Sequence, residues 1–576
     1  MSHHRPPALR AVLIGLVFGA IAVHLAIVGV LLMIHQRWIV IDTLSLGQAT
    51  LVTIGLGAGA MAASRTKAQR IESGDSAFGG GAVGHLAIGA IAGAACGVPI
   101  AVLCVAMVLL PLQTIFIALS PDLLDMLTVG QGIELGVPIL LAGAMLCGLV
   151  GASLSLAPPG VRRALIPGAV TVVVAGVFQE LIQLMLQQWE GVVTDIREFF
   201  YTWEGLSVQG AIALYIIATG LGLLFRLAQR RRVARRGPPD PKRTRMMWAG
   251  ISLLVLIVMP ALAGSYIGQV LMLVGLYILM GMGLNLEVGL AGLLDLGFVA
   301  FFAVGAYTTA ILTADSPVAL MHLSYWAAMP VSVVFAVCVG VLFGLPVLGV
   351  RGDYLAVATI GLGEIVRVLV LSDFAAPLLG GAQGILQIPK PRIGDYVLGT
   401  PVSLFYLTLV CSAIAAFIAW RLENSRLGRA WMALRDDEDV AQALGINLVQ
   451  SKLLAYGLGA AFAGLAGSIF AAMLTSVYPS SFQLLISVNV LALIIVGGMG
   501  SLPGVVLGSI ALIGLPELLR EFGEYRYLFY GVALVVMMHL KPEGLWPSEA
   551  RQRELHSRDE TLALDAGTDA VPAQGD

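Results

Sequence analysis

Ionisable residues inside long apolar runs are where chemistry is sought first, because a charge in lipid is costly to keep. Glu364 and Arg367 stand three apart, on one face of a helix drawn through 354–372. With that span starting at Tyr354, Glu364 lies about 15 Å in by the helical rise, close to mid-depth. Two roles fit the pair: groups on a translocation pathway, or a structural ion pair with Arg367 snorkelling outward. Arg351, Gly352, Asp353 and Tyr354 open the same run. A carboxylate at Asp353 suits a helix start, where it meets free N–H groups and the helix dipole; a substrate role is the less favoured reading. Asn285, Gly289, Gly292, Gly297 and Gly305 run through two adjacent earlier spans, near 266–288 and 290–312. They read as helix breaks that expose backbone groups to a substrate or, by a small margin the preferred account, as close-packing glycines. Asp295, at the cytoplasmic end of its span, is expected to reach interfacial water.

Other chemistries are excluded by what is missing. The sequence contains no GxxxxGK[ST] phosphate loop, no HExxH and no CxxC pair. Cys96, Cys104, Cys147, Cys338 and Cys411 all fall in apolar runs without metal-ligand spacing. No enzyme activity, metal or cofactor is expected on this chain. One polar segment stands out, SRLGRAWMALRDDEDVAQALGINLVQSK at 425–452. It reads as a short amphipathic helix along the membrane surface, with Trp431, Leu434, Val440 and Ala441 inward. Arg435, Asp436, Asp437, Glu438 and Asp439 then face water, and Gly445 ends the helix at a C′ position. A soluble partner can grip such a helix; an ordinary charged loop is the alternative.

The elements that must position these residues are transmembrane helices. Of 576 residues, 58% are hydrophobic and 12% charged, about half the charge of a soluble domain. Continuous apolar runs of about twenty residues select helices over an alternating barrel pattern. The first part holds six spans, near 11–34, 39–63, 82–111, 133–157, 164–187 and 207–227. Ten follow, near 248–264, 266–288, 290–312, 325–349, 354–372, 403–420, 453–476, 484–500, 503–520 and 525–540. Gly497, Gly498, Gly500, Pro503 and Gly504 make the fifteenth a candidate re-entrant segment. With a cytoplasmic N-terminus, 26 of the 33 basic residues fall on cytoplasmic segments and six outside, so both termini are placed inside. The fold class is thus all-α, a polytopic membrane protein of about sixteen helices. Its parts are a membrane domain at 1–227, a basic linker at 228–245, a second membrane domain at 246–547 and a disordered cytoplasmic tail at 548–576. The arginines of the linker read as a topological anchor beside the bilayer, not as a nucleic-acid site.

Several blocks in the second domain carry a resemblance. They are GLNLEVGLAGLLDLGFVAFFAVGAYTTA (283–310), LPVLGVRGDYLAVATIGLGEIVRVLVL (345–371) and GGAQGILQIPKP (380–391). LGRAWMALRDDEDVAQALGI (427–446), VGGMGSLPG (496–504), FGEYRYLFYG (522–531) and KPEGLWP (541–547) follow in order. From about Met246 to Pro547 the chain resembles the LivM-type permease of high-affinity branched-chain amino acid ABC importers. The resemblance implies a bacterial inner-membrane subunit that works by alternating access. It also implies separate ATPase subunits that hydrolyse ATP, a second permease subunit and an extracytoplasmic binding protein. The 427–446 block then corresponds to the segment that docks on an ATPase, with Gly428, Arg429, Arg435, Glu438, Ala441 and Gly445 assigned to it. Urea, amides or other amino acids are alternative substrates, and an ion-coupled secondary transporter is the rival class. The resemblance leaves out the first 235 residues, where SLGQATLVTIG (45–55) echoes DLGFVAFFAVG (295–305). An accessory domain is the preferred reading there over a fused second permease.

Overall fold

The computed structural model describes residues 7–547 apart from 74–81, 188, 190, 237–240, 318, 348, 351, 352, 524 and 542. The tail from 548 lies outside the described residues, while the linker is helical up to Arg236 and again from Pro241. The chain is an all-α, multi-pass membrane protein; the described residues add only two short antiparallel ladders, Trp38–Val40 with Leu44–Ser45 and Arg392–Ile393 with Tyr396–Val397. Among the described residues, ten helices are long and apolar enough to cross a bilayer, or eleven if one bent pair forms a single crossing. The stretch Leu254–Leu290 counts once, although its backbone breaks at Gly264 (φ 89°, ψ 179°).

The chain divides into two compact units, Met1–Ala249 and Gly250–Asp576. In the first, helices Pro7–Ile27, Leu46–Ser73, Ala82–Leu109 and Gly132–Leu156 pack against one another. Gly148 sits at a close approach between them, since a Cβ there would collide with the backbone of Gly89 and Gly93. Without a hydrophobic drive between helices in lipid, such contact between small residues is what holds them. The stretch read as one span over 164–187 is two helices, Pro159–Val177 and Gln179–Gln187, and the backbone turns by 72° between them. The side-chain amides of Gln179 and Gln183 donate to the carbonyls of Glu204 and Thr202 at 3.2 and 3.3 Å. A straight helix would leave those amides unanswered in lipid.

In the second unit, Leu448–Leu474 is the central helix, packed on Tyr325–Val347 and Val299–Thr313. Its inner positions are small, with Ala460, Ala463, Gly464, Ala466 and Gly467 all buried. Gly305 lies against Gly464 and Gly467 against the Phe302 carbonyl, so two backbones touch over about one helical turn. Phe302, Phe470 and Phe482 fill the space beyond, with ring centroids 5.0 to 6.0 Å apart. The stretch read as a span over 290–312 is helical only over Val299–Thr313, and Leu293–Leu296 has no regular structure.

Gly305→Val is expected to overpack this contact and destabilise the unit by about 1–3 kcal/mol. Size-exclusion profiles of a fluorescently tagged chain in mild detergent should show a reduced monodisperse peak. Gly220→Ala, at a helical position with open space around it, should give the wild-type profile.

Candidate functional site

The helix ending at Leu284 does not stop cleanly. Asn285–Leu290 forms a wider turn of π type, in which carbonyls lose their usual partners. Gly292 then takes a left-handed conformation (φ 73°) and the chain leaves the helix axis. The Leu286 and Glu287 carbonyls are answered locally, by the N–H groups of Ala291 and Leu293 at 3.1 and 2.9 Å, and other groups around the break from far along the sequence. The buried Asn285 Oδ1 accepts from the Gly500 N–H at 2.9 Å. The Gly289 carbonyl accepts from Arg435 Nη1, also at 2.9 Å. The Leu296 N–H donates to Thr359 Oγ1 at 3.0 Å, and the Val299 N–H donates to Ser487 Oγ at 2.9 Å, opening helix 299–313. The Leu545 and Trp546 N–H groups donate to the carbonyls of Val496 and Gly497 at 2.8 and 2.9 Å. Five blocks dispersed in sequence (283–310, 345–371, 427–446, 496–504 and 541–547) thus meet around one helix break.

The polar segment is two helices instead of one, Arg426–Asp436 and Glu438–Ala443. The break comes at Asp437, whose Oδ1 accepts from the N–H groups of Asp439 and Val440 at 2.9 and 3.0 Å and so starts the second helix. Ser425 caps the first helix through the Gly428 N–H at 3.2 Å, and Gly428 is itself buried against the carbonyls of Leu422 and Glu423. Trp431 is fully buried, its Nε1 donating to the Ser451 carbonyl at 2.9 Å. Ala441 is buried, and Gly445 (φ 87°) closes the second helix, with the Ile446 N–H donating to the Ala441 carbonyl at 3.1 Å.

Two charged residues expected to face water are engaged within the chain. Arg435 reaches Gly289, with its stem over Gly292, where a Cβ would come within 2.8 Å of its Cγ. Glu438 pairs with Lys452 at 2.8 Å, the lysine side chain being only 5% exposed. A buried ammonium needs a partner more than Glu438 needs solvent. The exposed residues of the segment include Arg429, Asp436, Asp439, Val440 and Leu444, the last 75% exposed.

Glu364 and Arg367 are bonded to each other, Nε donating to Oε2 at 2.8 Å, with both side chains partly exposed. Arg367 borders a cleft with Tyr307, Val366, Val370 and Phe482. Gly297 packs on the Thr359 carbonyl. Tyr354 projects outward, while Arg351, Gly352 and the Asp353 side chain lie outside the described residues. Asp295 does not reach interfacial water. It is 1% exposed, its Oδ1 accepting from the Gly297 N–H at 2.7 Å. Glu287, fully buried in the π turn, was not singled out from the sequence; a carboxylate within an apolar run, the sign that marked Glu364, marks it equally.

Residues 266–539 match the family described as branched-chain amino acid transport system, permease component. The high-affinity branched-chain amino acid transport system permease protein LivM of Escherichia coli K12 is 35% identical over 431 residues, covering 69% of this chain and 97% of that protein. The chain belongs to this permease family. LivM of Salmonella typhimurium LT2 is 37% identical over 305 residues, 49% of this permease and 70% of the relative. A probable branched-chain amino acid transport permease protein LivM of Methanocaldococcus jannaschii is 25% identical over 267 residues, 42% and 74% of the two chains. No solved structure matches the permease. Because 69% of the chain is more than Gly250–Asp576 comprises, the alignment with the Escherichia coli protein runs back into the first unit.

Replacing Glu438 of the permease by Ala leaves the buried Lys452 ammonium alone, at about 2–3 kcal/mol. Thermal unfolding should shift down for that variant, and the double change Glu438→Ala with Lys452→Met should recover most of the loss.

Proposed function

We propose that this permease is the transmembrane subunit of an ATP-driven, binding-protein-dependent importer of leucine, isoleucine and valine in the bacterial inner membrane. In this reading both termini are cytoplasmic, separate ATPase subunits hydrolyse ATP, a second permease subunit completes the pathway, and an extracytoplasmic protein delivers substrate. The observation that carries it is the hydrogen bond from Arg435 to the Gly289 carbonyl. It ties the segment assigned to ATPase docking to the broken helix. Arg429, Asp436, Asp439, Val440 and Leu444 offer the outward docking face. A shift of that segment pulls on the π turn through Arg435 and on the central helix through Trp431 and Lys452. Loop 291–298 then passes the motion to helix 299–313 and, through Thr359, to helix Asp353–Leu371. On that path, Arg367, bonded to Glu364, borders an apolar cleft of about 10 Å³, so an amino acid enters there only once the surrounding helices part. The first unit is read as an accessory membrane domain.

Uptake of labelled leucine by proteoliposomes holding the complete complex is the test. Arg435→Ala should lower the rate roughly 10- to 150-fold, as for loss of one charge-assisted hydrogen bond of about 1.5–3 kcal/mol, while ATPase subunits still co-purify; Arg435→Lys should fall between. Uptake that continues without ATP but stops when a proton gradient is collapsed would overturn the importer reading. Competition by urea or acetamide but not by isoleucine would overturn the substrate class.

A further inference from the structure

Among the described residues the Glu287 carboxyl meets no hydrogen-bond donor. Both of its oxygens are buried without a hydrogen-bond donor, as are Asp295 Oδ2 and the Tyr456 hydroxyl. Gly459 makes room for it: a Cβ on that glycine would occupy the position of Glu287 Oε1. The carboxyl groups of Glu287 and Asp295 lie within hydrogen-bond reach of each other. Asp295, Thr359 and Tyr456 line one small pocket with Gly297, Phe301 and Leu362. Among the described residues no cation pairs with either acid. The charged groups on neighbouring elements are already engaged: Arg435 with Gly289 and Asp436, and Lys452 with Glu438.

Two carboxylates in contact in an apolar interior do not both stay ionised, and two carboxylate oxygens facing each other are repulsive unless one carries hydrogen. We infer that Glu287 and Asp295 form a buried protonation site that holds one proton between them in this conformation. The proton comes from water and binds one carboxylate, so the pair goes from two negative charges to one. Asp295 already accepts from the Gly297 N–H, which favours its ionised form, so the hydrogen sits on Glu287 and is donated to Asp295. The Tyr456 hydroxyl lines the same small pocket as Asp295 and has no hydrogen-bond partner among the described residues. Because Glu287 stands in the π turn and Asp295 in the loop beyond, the shared proton closes loop 287–295 on itself, and opening of the loop to water separates the acids and releases it. The site stands on this geometry and not on the identity of the transported solute.

Infrared spectroscopy of the full chain in lipid nanodiscs at neutral pH tests the site independently of transport. The wild type should show a protonated-carboxyl band that shifts in heavy water. Glu287→Gln, which keeps a donor facing Asp295, should fold as the wild type and lack the band; Asp295→Asn, which leaves Glu287 buried without a neighbouring charge, should keep the band at a shifted frequency, and the double variant should lack it. Two separate bands, each removed by one variant, would mean two neutral acids and overturn the single-proton site. A band untouched by Glu287→Gln, or one that emerges only when sodium is replaced by choline, would overturn it as well, the latter in favour of a metal cation.

Discussion

A helix that breaks inside a bilayer leaves amides and carbonyls that lipid cannot answer. In this permease the break at 285–292 frees such groups, and the second unit is organised around satisfying them. Asn285 binds Gly500, Gly289 binds Arg435, Leu296 binds Thr359 and Val299 binds Ser487. Each partner comes from a different helix or loop. The break is therefore a junction as well as a defect, and residues far apart in sequence must agree in position for it to exist.

Much of this was legible from residue types alone. Apolar runs locate helices because the bilayer permits little else, and Gly445 closed its helix as its place after an amphipathic turn suggested. The blocks shared with the permease family were visible too, though not that they touch one another. What was hidden is mostly direction. Arg435 and Glu438 carry charge in a polar segment, and composition sends such residues outward; only the tertiary fold supplies a bare carbonyl for one and a buried lysine for the other. Asp295 was misread for a related reason. A span drawn over 290–312 puts it at the membrane edge, whereas the true helix begins at Val299 and leaves the aspartate in an enclosed loop. The bend near Phe178 escaped notice because hydropathy averages over the glutamines that cause it.

Glycine has two separate uses in the chain. At Gly148, Gly305 and Gly464 its lack of a side chain lets backbones touch, and any Cβ would part the helices. At Gly292 the requirement is conformational and steric together, because the left-handed backbone coincides with the Arg435 stem. Gly297 and Gly305 thus stand where backbones pack closely, and Gly292 where the chain leaves the helix axis.

The order of synthesis adds a consequence. Arg435 follows Gly289 by 146 residues and Gly500 follows Asn285 by 215. At about 5–20 residues per second, the π turn waits roughly 7–30 s in the nascent chain before the guanidinium that completes it is made. The helix ending at Leu284 therefore enters the bilayer unfinished, and its final seat is decided after insertion, when the later helices arrive.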